Sequence, residues 1–556
     1  MDAKACALAW AQNAYFDEET RSLAAGLSAA EAEAAFGTEL SFGTGGLRGI
    51  VGVGTARMNR YTVARATLGL ADRLRERGAQ RGVAIAHDSR HGSEIFTAVT
   101  AGVLAACGIK AYVFAQLAPT PMLSFAVRQL GLDAGVMITA SHNPAPYNGY
   151  KVYGPDGCQI TDGEAGRITA CIARRGYDEA RILSQTEARD RGLWLEVDDA
   201  VRRSFAQACL FCRPDPTVCS PVHVVYTPLH GTGLLPVREV LSLMQGVRVT
   251  EVEAQLEPNG DFPTCPKPNP ELDEALALGI QTARETEADL LLATDPDCDR
   301  VGVVARKPDG DYARFSGNEV GLLLLDYVLR TRRDQGTLPK RAVAVKTIVT
   351  SDLAFPIAAQ YGVELREVLT GFKYIGEVIG HLEAEGRESD FVFGFEESCG
   401  YLAGTHVRDK DGVMACMLVC EMAQAARAQG QTLWEMLERL YERHGRLCTE
   451  LMNMDIAGAH PMEVMRAAME RLRAHPPKAL AGRPLARVRD YLPGLDGLPP
   501  SDVLSLEADG LKVIVRPSGT EPKVKAYLFA RDADLARAQA LLDALRAEVH
   551  EVLGLA

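Results

Sequence analysis

The run Leu290-Leu291-Leu292-Ala293-Thr294 leads directly into three carboxylates at alternate positions, Asp295, Asp297 and Asp299. Five largely apolar residues closed by a proline-containing turn read as a buried strand. In extended backbone alternate side chains share one face, and like charges held on one face repel unless a cation offsets them. These carboxylates can converge on one hard cation at the end of a sheet, a reading favoured over a solvated acidic turn. A second run, Ala134 to Ile138, ends the same way in Thr139-Ala140-Ser141-His142-Asn143-Pro144. That places one hydroxyl at the mouth of a sheet, and a serine combined with a divalent-metal loop points to phosphoryl transfer.

From Arg81 onward short β-rich runs alternate with helical stretches, the pattern of α/β layers around mainly parallel sheets. Strands are expected at Val83 to Ala86, Lys110 to Phe114 and Ala134 to Ile138, with a helix over Glu94 to Ala106. The rhythm restarts with strands at Val222 to Tyr226, Val247 to Val252 and Leu290 to Thr294, separated by helices near Pro236 to Met244 and Glu271 to Glu285. It restarts again at Ala342 to Lys346, Glu364 to Val368 and Phe391 to Phe395, with helices near Asp352 to Tyr361 and Tyr374 to Glu385. Closely spaced strands at Leu451 to Ile456, Val503 to Glu507, Lys512 to Val515 and Val524 to Phe529, closed by a helix from Asp532 to Val552, form a separate α+β domain.

At 556 residues the chain exceeds a single core, and length alone suggests roughly three to five domains. The net charge of −13 argues against nucleic acid or an anionic membrane surface as partner. Uncharged runs such as Ile95 to Ile109 are too short for a membrane span and read as buried helix. Thirteen cysteines without a secretory leader suggest reduced thiols and a cytoplasmic location. Cys209-x-x-Cys212 with Cys219 invites a zinc reading, but no fourth ligand stands at the usual spacing, so packed free thiols are expected.

Each loop admits more than one chemistry. His142, adjacent to Ser141, is expected to point away from its neighbour's hydroxyl, which disfavours an acyl-transfer triad. An EF-hand fails because Arg300 and Arg306 stand where Gly and Glu are required. An aspartate-nucleophile phosphatase, with Asp295 attacking, stays open. Gly394-Phe395-Glu396-Glu397-Ser398-Cys399-Gly400 offers acceptors and donors for sugar hydroxyls. Arg516-Pro517-Ser518-Gly519-Thr520-Glu521-Pro522-Lys523 can wrap a phosphate, with a forked guanidinium contact, but it is no Walker loop. The glycine loop Phe42 to Gly49 carries Arg48, and Tyr147-Asn148-Gly149-Tyr150-Lys151 places an ammonium ten residues after the serine.

Taken in series these loops resemble the α-D-phosphohexomutase superfamily, over nearly the whole chain. Thr-Ala-Ser-His-Asn-Pro matches residues 139 to 144, Asp-x-Asp-x-Asp-Arg matches 295 to 300, Glu-x-Ser matches 396 to 398 and Arg-x-Ser-Gly-Thr matches 516 to 520. Tyr226 to Gly233 and Leu369-Thr370-Gly371-Phe372-Lys373-Tyr374 look like the phosphoglucomutase and phosphopentomutase branch, with Cys298 where Ala is commoner.

The resemblance implies an α/β enzyme of four domains around a central cleft: three with mixed sheets (1–205, 206–315 and 316–445) and a C-terminal α+β domain (446–556). It implies one Mg²⁺ held by Asp295, Asp297, Asp299 and a phosphoserine oxygen at Ser141, with Arg48, His142, Lys151 and Arg300 lining that centre. It places Thr370, Gly371, Lys373, Glu396, Ser398, Arg516, Ser518, Gly519, Thr520 and Lys523 against the substrate. The implied reaction interconverts α-D-glucose 1-phosphate and glucose 6-phosphate through a bound bisphosphate, glucose 1,6-bisphosphate, in a monomer or weak dimer. Pentose or mannose phosphates are the alternative substrates; an aspartyl-phosphate phosphatase and a non-catalytic sugar-phosphate sensor are the alternative classes.

Overall fold

The computed structural model describes residues 2–43, 45–456, 461–518 and 523–553. Two compact units divide the chain, one of residues 1–344 with 371–432 and the other of 345–370 with 433–556.

The first unit opens with a six-stranded sheet of β1 (Gly46–Ile50), β2 (Val83–His87), β3 (Ala111–Val113), β4 (Ala134–Ile138), β5 (Tyr147–Tyr153) and β6 (Trp194–Glu196), in the order β1-β5-β4-β2-β3-β6. The central strands are parallel, whereas β5 runs antiparallel to β4 and to β1. Every residue of β2 and β4 is buried, as a strand covered on both faces requires. A second sheet follows, of β7 (Val222–Thr227), β8 (Val247–Glu251), β9 (Leu290–Thr294), β10 (Val301–Arg306) and β11 (Tyr312–Arg314), in the order β11-β10-β9-β7-β8. Strands β8, β7 and β9 are parallel and β10 returns antiparallel. In the third α/β segment β12 (Val343–Thr347) crosses the division between units and β13 (Glu364–Val368) lies in the second unit. The hairpin β14 (Phe391–Glu396) and β15 (Gly400–Leu402) lies in the first.

The second unit carries an antiparallel sheet of β16 (Arg446–Asp455), β17 (Ala479–Leu480), β18 (Arg483–Asp490), β19 (Leu504–Ala508), β20 (Leu511–Pro517) and β21 (Lys523–Asp532), in the order β16-β21-β20-β19-β18-β17. Helices Pro461–Ala474 and Leu535–Leu553 contribute Met465, Met469, Leu472, Leu542, Leu545 and Val549 to the core beneath it. Three mixed α/β sheets followed by an antiparallel α+β domain is the architecture expected from the sequence.

Strand periodicity placed β4, β9 and β13 at their observed bounds, but short edge strands escaped it. Phe42 to Gly49, read as a flexible glycine loop, instead delivers β1, in which Arg48 is paired with Gly149 of β5. Glycine is needed there because backbones approach closely. A Cβ at Gly46 would sit 2.2 Å from the Tyr150 carbonyl oxygen, and one at Gly149 would sit 2.4 Å from that of Thr139. The helices Ala3–Gln12, Glu18–Gly26 and Ala29–Phe36 also lacked a clear signal. They enclose a small aromatic core in which Trp10 stacks on Phe16 at 4.3 Å.

One ion-paired brace joins the first and third α/β segments within the first unit. Glu383 accepts from Arg128 at 2.9 Å and from the fully buried Arg408 at 2.7 Å. The bonds from Arg128, then those from Arg408, hold the Glu383 carboxyl at about 2, below its ordinary 4.5. A depressed folded pKa stabilises fully above the unfolded value, and the contribution disappears as pH falls through the folded one. In thermal melts the Tm gap between the parent and Glu383→Gln is expected to be constant above pH 4.5 and to close progressively toward pH 2. A gap independent of pH would remove the ionic account. Two glycine substitutions test the packing. Gly166→Ala, in helix Asp162–Ala173 with nothing within 4 Å of the added carbon, should stabilise by about 0.5–1 kcal/mol. Gly149→Ala, which meets backbone, should destabilise by on the order of 2 kcal/mol, read as denaturant midpoints.

Candidate active site

β4 and β9 each end in a loop, and the first unit brings these loops together. Ser141 Oγ donates to Asp295 Oδ2 at 2.6 Å, and both residues are buried. The serine is held at φ 50, a left-handed conformation costly for a side-chain-bearing residue, and Cys298 at φ 53 plays the same part in the acidic loop. This twist also corrects the expectation for His142. Instead of turning away, its Nδ1 lies 3.3 Å from Ser141 Oγ.

A residue that the sequence reading passed over imposes the twist. Arg90, with a fully buried side chain, donates from Nη1 to the carbonyls of Pro144 and Tyr147, both at 3.0 Å, and from Nη2 to those of Ser141 and Asn143. Asp88 completes the frame: its Oδ2 accepts from Thr139 Oγ1 at 2.5 Å and lies 3.3 Å from Arg90 Nε. Thr139 Oγ1 in turn accepts from Ser141 N at 2.8 Å. Asp88 and Arg90 follow the fully buried β2 directly, so the strand-end pattern that marked Ser141 and Asp295 marks them too.

The carboxylates Asp295, Asp297 and Asp299 are buried, with ligand oxygens within 4.8 Å of one another. Asp295 Oδ1 accepts the backbone N–H of Asp299 at 3.1 Å and of Arg300 at 3.0 Å, closing the loop on itself. Asp297 Oδ2 takes Lys151 Nζ at 2.8 Å and Thr120 Oγ1 at 2.9 Å. Asp299 Oδ2 takes Lys410 Nζ at 3.1 Å, and Lys410 also meets Asp409, which accepts from Tyr153 OH at 2.8 Å. Yet Asp297 Oδ1 and Asp299 Oδ1, both buried, have no hydrogen-bond partner among the described residues. Buried carboxylate oxygens without partners are costly. Two such oxygens beside Asp295 and a serine hydroxyl form an all-oxygen donor set suited to a hard divalent cation.

The electrostatics show the same imbalance. Burial, followed by the charges of Asp297 and Asp299, pushes the Asp295 carboxyl well above its ordinary range. Burial acts upward on Asp297 as well, but Lys151 outweighs it and holds that carboxyl far below. Burial alone would lower Lys151, but Asp297 and Asp299 raise it. His142 is driven well below 6.5 by burial, then by Arg300 and Arg48, so its ring is neutral near pH 7.

The remaining expected residues divide by position. Arg300 donates to Glu271 at 2.8 Å while its Nε lies 3.9 Å from Asp299 Oδ1, and Arg48 is exposed on β1. Glu396, at the end of β14, accepts the Gly371 N–H at 2.9 Å, and Ser398 lies half-buried in the following turn. Lys373 bonds Asp162 at 2.6 Å. Thr370 closes residues 345–370 of the second unit and has a buried hydroxyl with no hydrogen-bond partner among the described residues. Also in the second unit, Arg516 lies near the end of β20 and Lys523 opens β21. Ser518 N donates to the Lys523 carbonyl at 2.8 Å. Gly519 and Thr520 lie outside the described residues. Besides Asp88 and Arg90, sequence reading missed Thr120, Asp409 and Lys410; the charged run Arg408-Asp409-Lys410-Asp411 was the available signal for the last two.

Comparison with known proteins reproduces this layout. Family models described as phosphoglucomutase/phosphomannomutase alpha/beta/alpha domains I, II and III match residues 39–178, 206–310 and 316–444. A phosphoglucomutase of Staphylococcus haemolyticus is 36% identical over 510 residues, covering 89% of this chain and 91% of that protein. A putative phosphomannomutase from Thermus thermophilus superposes with a TM-score of 0.70 at 26% identity, over 92% of this chain and 99% of the other. An Aspergillus fumigatus N-acetylphosphoglucosamine mutase, solved with GlcNAc-6P and magnesium, shares the fold with a TM-score of 0.53 at 14% identity, covering 99% of each chain. A strand-end serine bonded to a buried aspartate triad, set in these three successive α/β domains, places the chain in the phosphoglucomutase/phosphomannomutase family of the α-D-phosphohexomutase superfamily, as an isomerase that moves a phosphoryl group within a phosphosugar.

Proposed function

We propose that the chain interconverts α-D-glucose 1-phosphate and glucose 6-phosphate, with Ser141 as phosphoryl carrier and glucose 1,6-bisphosphate as the bound intermediate. The observation that carries this reading is the 2.6 Å bond from Ser141 Oγ to Asp295, inside a carboxylate cluster in which two oxygens accept no hydrogen bond among the described residues. The glucose assignment rests on the Staphylococcus haemolyticus relative. Segments 1–205, 206–315, 316–445 and 446–556 would supply the serine, metal, sugar and phosphate loops in turn.

Asp295, Asp297 and Asp299 with the Ser141 oxygen would hold Mg²⁺, which when bound withdraws charge from the phosphorus under attack. The protein's own groups do the rest. Lys151 and Lys410 neutralise the outer carboxylate oxygens, so the cluster does not repel a phosphate dianion. His142, 3.3 Å from the serine oxygen, is placed to take or return a proton there. Arg90 and Asp88 touch no reacting atom; they fix the backbone that aims Ser141. Glu396 and Ser398 would accept and donate to sugar hydroxyls, and Gly371, Thr370 and Lys373 would stand beside them. Arg516, Ser518, Gly519, Thr520 and Lys523 would grip the phosphate that is not reacting, using binding energy from a remote group to organise the reacting one.

Turnover compared across glucose, mannose, ribose and deoxyribose 1-phosphates is expected to favour glucose, and a pentose preference would reassign the substrate. Peptide mass spectrometry of the trapped phosphoenzyme should locate the phosphate on Ser141; finding it on Asp295 would make the protein an aspartyl-phosphate phosphatase. Ser141→Ala should abolish mutase turnover; full retention would exclude Ser141 as the phosphoryl carrier, and a parent protein that binds the phosphosugars without turning them over would be a sensor. Two further variants separate chemistry from grip. Asp297→Asn should lower kcat by more than about 100-fold and remove its dependence on Mg²⁺. Arg516→Ala should raise KM by about 10–100-fold and lower kcat less. Similar small effects from both would contradict this division of roles.

A further inference from the structure

The pair Cys209-x-x-Cys212 offers no zinc pattern in sequence, but folding supplies the missing partners from almost 200 residues away. Helix Asp199–Phe211 presents Cys209, and the segment before helix Gly412–Ala428 presents His406 and Asp411. Cys209 Sγ lies 3.5 Å from Asp411 Oδ2 and 4.0 Å from His406 Nε2, and those two atoms are 2.8 Å apart. Bond lengths of about 2.3 Å to sulfur and about 2.0 Å to nitrogen or oxygen give a tetrahedral shell edges of about 3.3–3.6 Å. The three atoms stand within roughly half an ångström of that arrangement before any ion draws them together.

The surroundings are those of a built site. His406 Nδ1 faces Cys212 Sγ at 3.6 Å, which leaves Nε2 pointing at the cluster; metal-binding histidines are commonly fixed this way through their second nitrogen. Asp411 Oδ1 accepts the N–H groups of Val413 at 2.9 Å and Met414 at 3.0 Å, so Oδ2 is the oxygen turned inward. The Phe205 ring packs beside the imidazole. Gly404, at φ +110, lets the backbone pass so near that a Cβ would sit 2.6 Å from Cys212 Sγ. Cys209 and Asp411 are wholly buried, and the thiolate, imidazole and carboxylate together match a borderline-soft ion better than Mg²⁺.

We propose that Cys209 Sγ, His406 Nε2 and Asp411 Oδ2 form a second metal site, for a Zn²⁺-like divalent cation, with Cys212 orienting the imidazole. His406 would bind as the neutral tautomer with its proton on Nδ1, directed at Cys212 Sγ, and binding releases the Cys209 thiol proton to solvent, so affinity rises with pH. The site ties helix Asp199–Phe211 to the segment from which Lys410, paired with Asp409, reaches Asp299, and so braces one wall of the carboxylate cluster. The two centres select different ions by donor type, sulfur and nitrogen against oxygen alone.

The full-length protein, stripped with chelator and kept in excess Mg²⁺, is titrated with Co²⁺ as probe. One Co²⁺ per chain should bind with a thiolate-to-cobalt charge-transfer band, and Zn²⁺ should displace it. The band should vanish in Cys209→Ser and persist in Asp297→Asn, whereas Cys212→Ser should retain it with Co²⁺ affinity about 10–100-fold weaker. Absence of the band in the parent protein, or its survival in Cys209→Ser, overturns the proposal. Should Cys209→Ser not fold, X-ray absorption of the Zn²⁺-loaded parent decides: sulfur in the shell supports the site, and a shell of nitrogen and oxygen alone overturns it.

Discussion

Three carboxylates buried on one loop set the electrostatic problem that much of the first unit answers. Asp295, Asp297 and Asp299 cannot all remain ionised away from water without compensation. Lys151 arrives from β5, Lys410 from the segment after β15, and the backbone N–H groups of Asp299 and Arg300 close on Asp295. Even so, Asp297 Oδ1 and Asp299 Oδ1 accept no hydrogen bond among the described residues. Lys151 and Lys410 each take one oxygen of Asp297 and Asp299, and the oxygens that accept no hydrogen bond make Asp295, Asp297 and Asp299 a candidate metal-binding group.

Rigid placement of the serine is the second requirement. A left-handed serine is conformationally costly and persists only where its surroundings over-determine it. Arg90 binds four carbonyls of residues 141–147, and Asp88 ties Arg90 to Thr139 at the start of that loop. A lysine could not substitute, because one ammonium lacks the planar fork that reaches several carbonyls at once. The hydroxyl is thus aimed by groups that hold the backbone and do not bond the hydroxyl itself.

The two centres differ in how their parts are recruited. In the carboxylate cluster the three acids come from one loop, so their spacing is visible in a line of text. At Cys209, His406 and Asp411 the parts come from two distant segments, and the CxxC spacing taken alone reads as packed thiols. Similarly, Lys410 and Asp409 carried no recognised role in the sequence, and the fold brings Lys410 to both Asp299 and Asp409.

Residue order was enough to place the strands with continuous apolar runs, such as β4 and β9, and the polar loops at their ends. A buried strand needs apolar side chains on both faces, and loops at its end must be polar, so both leave local marks. The family was legible too, because four motifs occur in a fixed order. Edge strand β1, with three of its five residues Gly or Arg, left no such mark, since an edge strand is held by its partner's backbone and not by its own burial. Only folding in three dimensions settled that His142 turns toward Ser141, that Arg90 frames the loop and that Asp411 meets Cys209. Each of those facts depends on a dihedral angle or on a contact between segments far apart in the chain, and neither is encoded in the spacing of neighbouring residues.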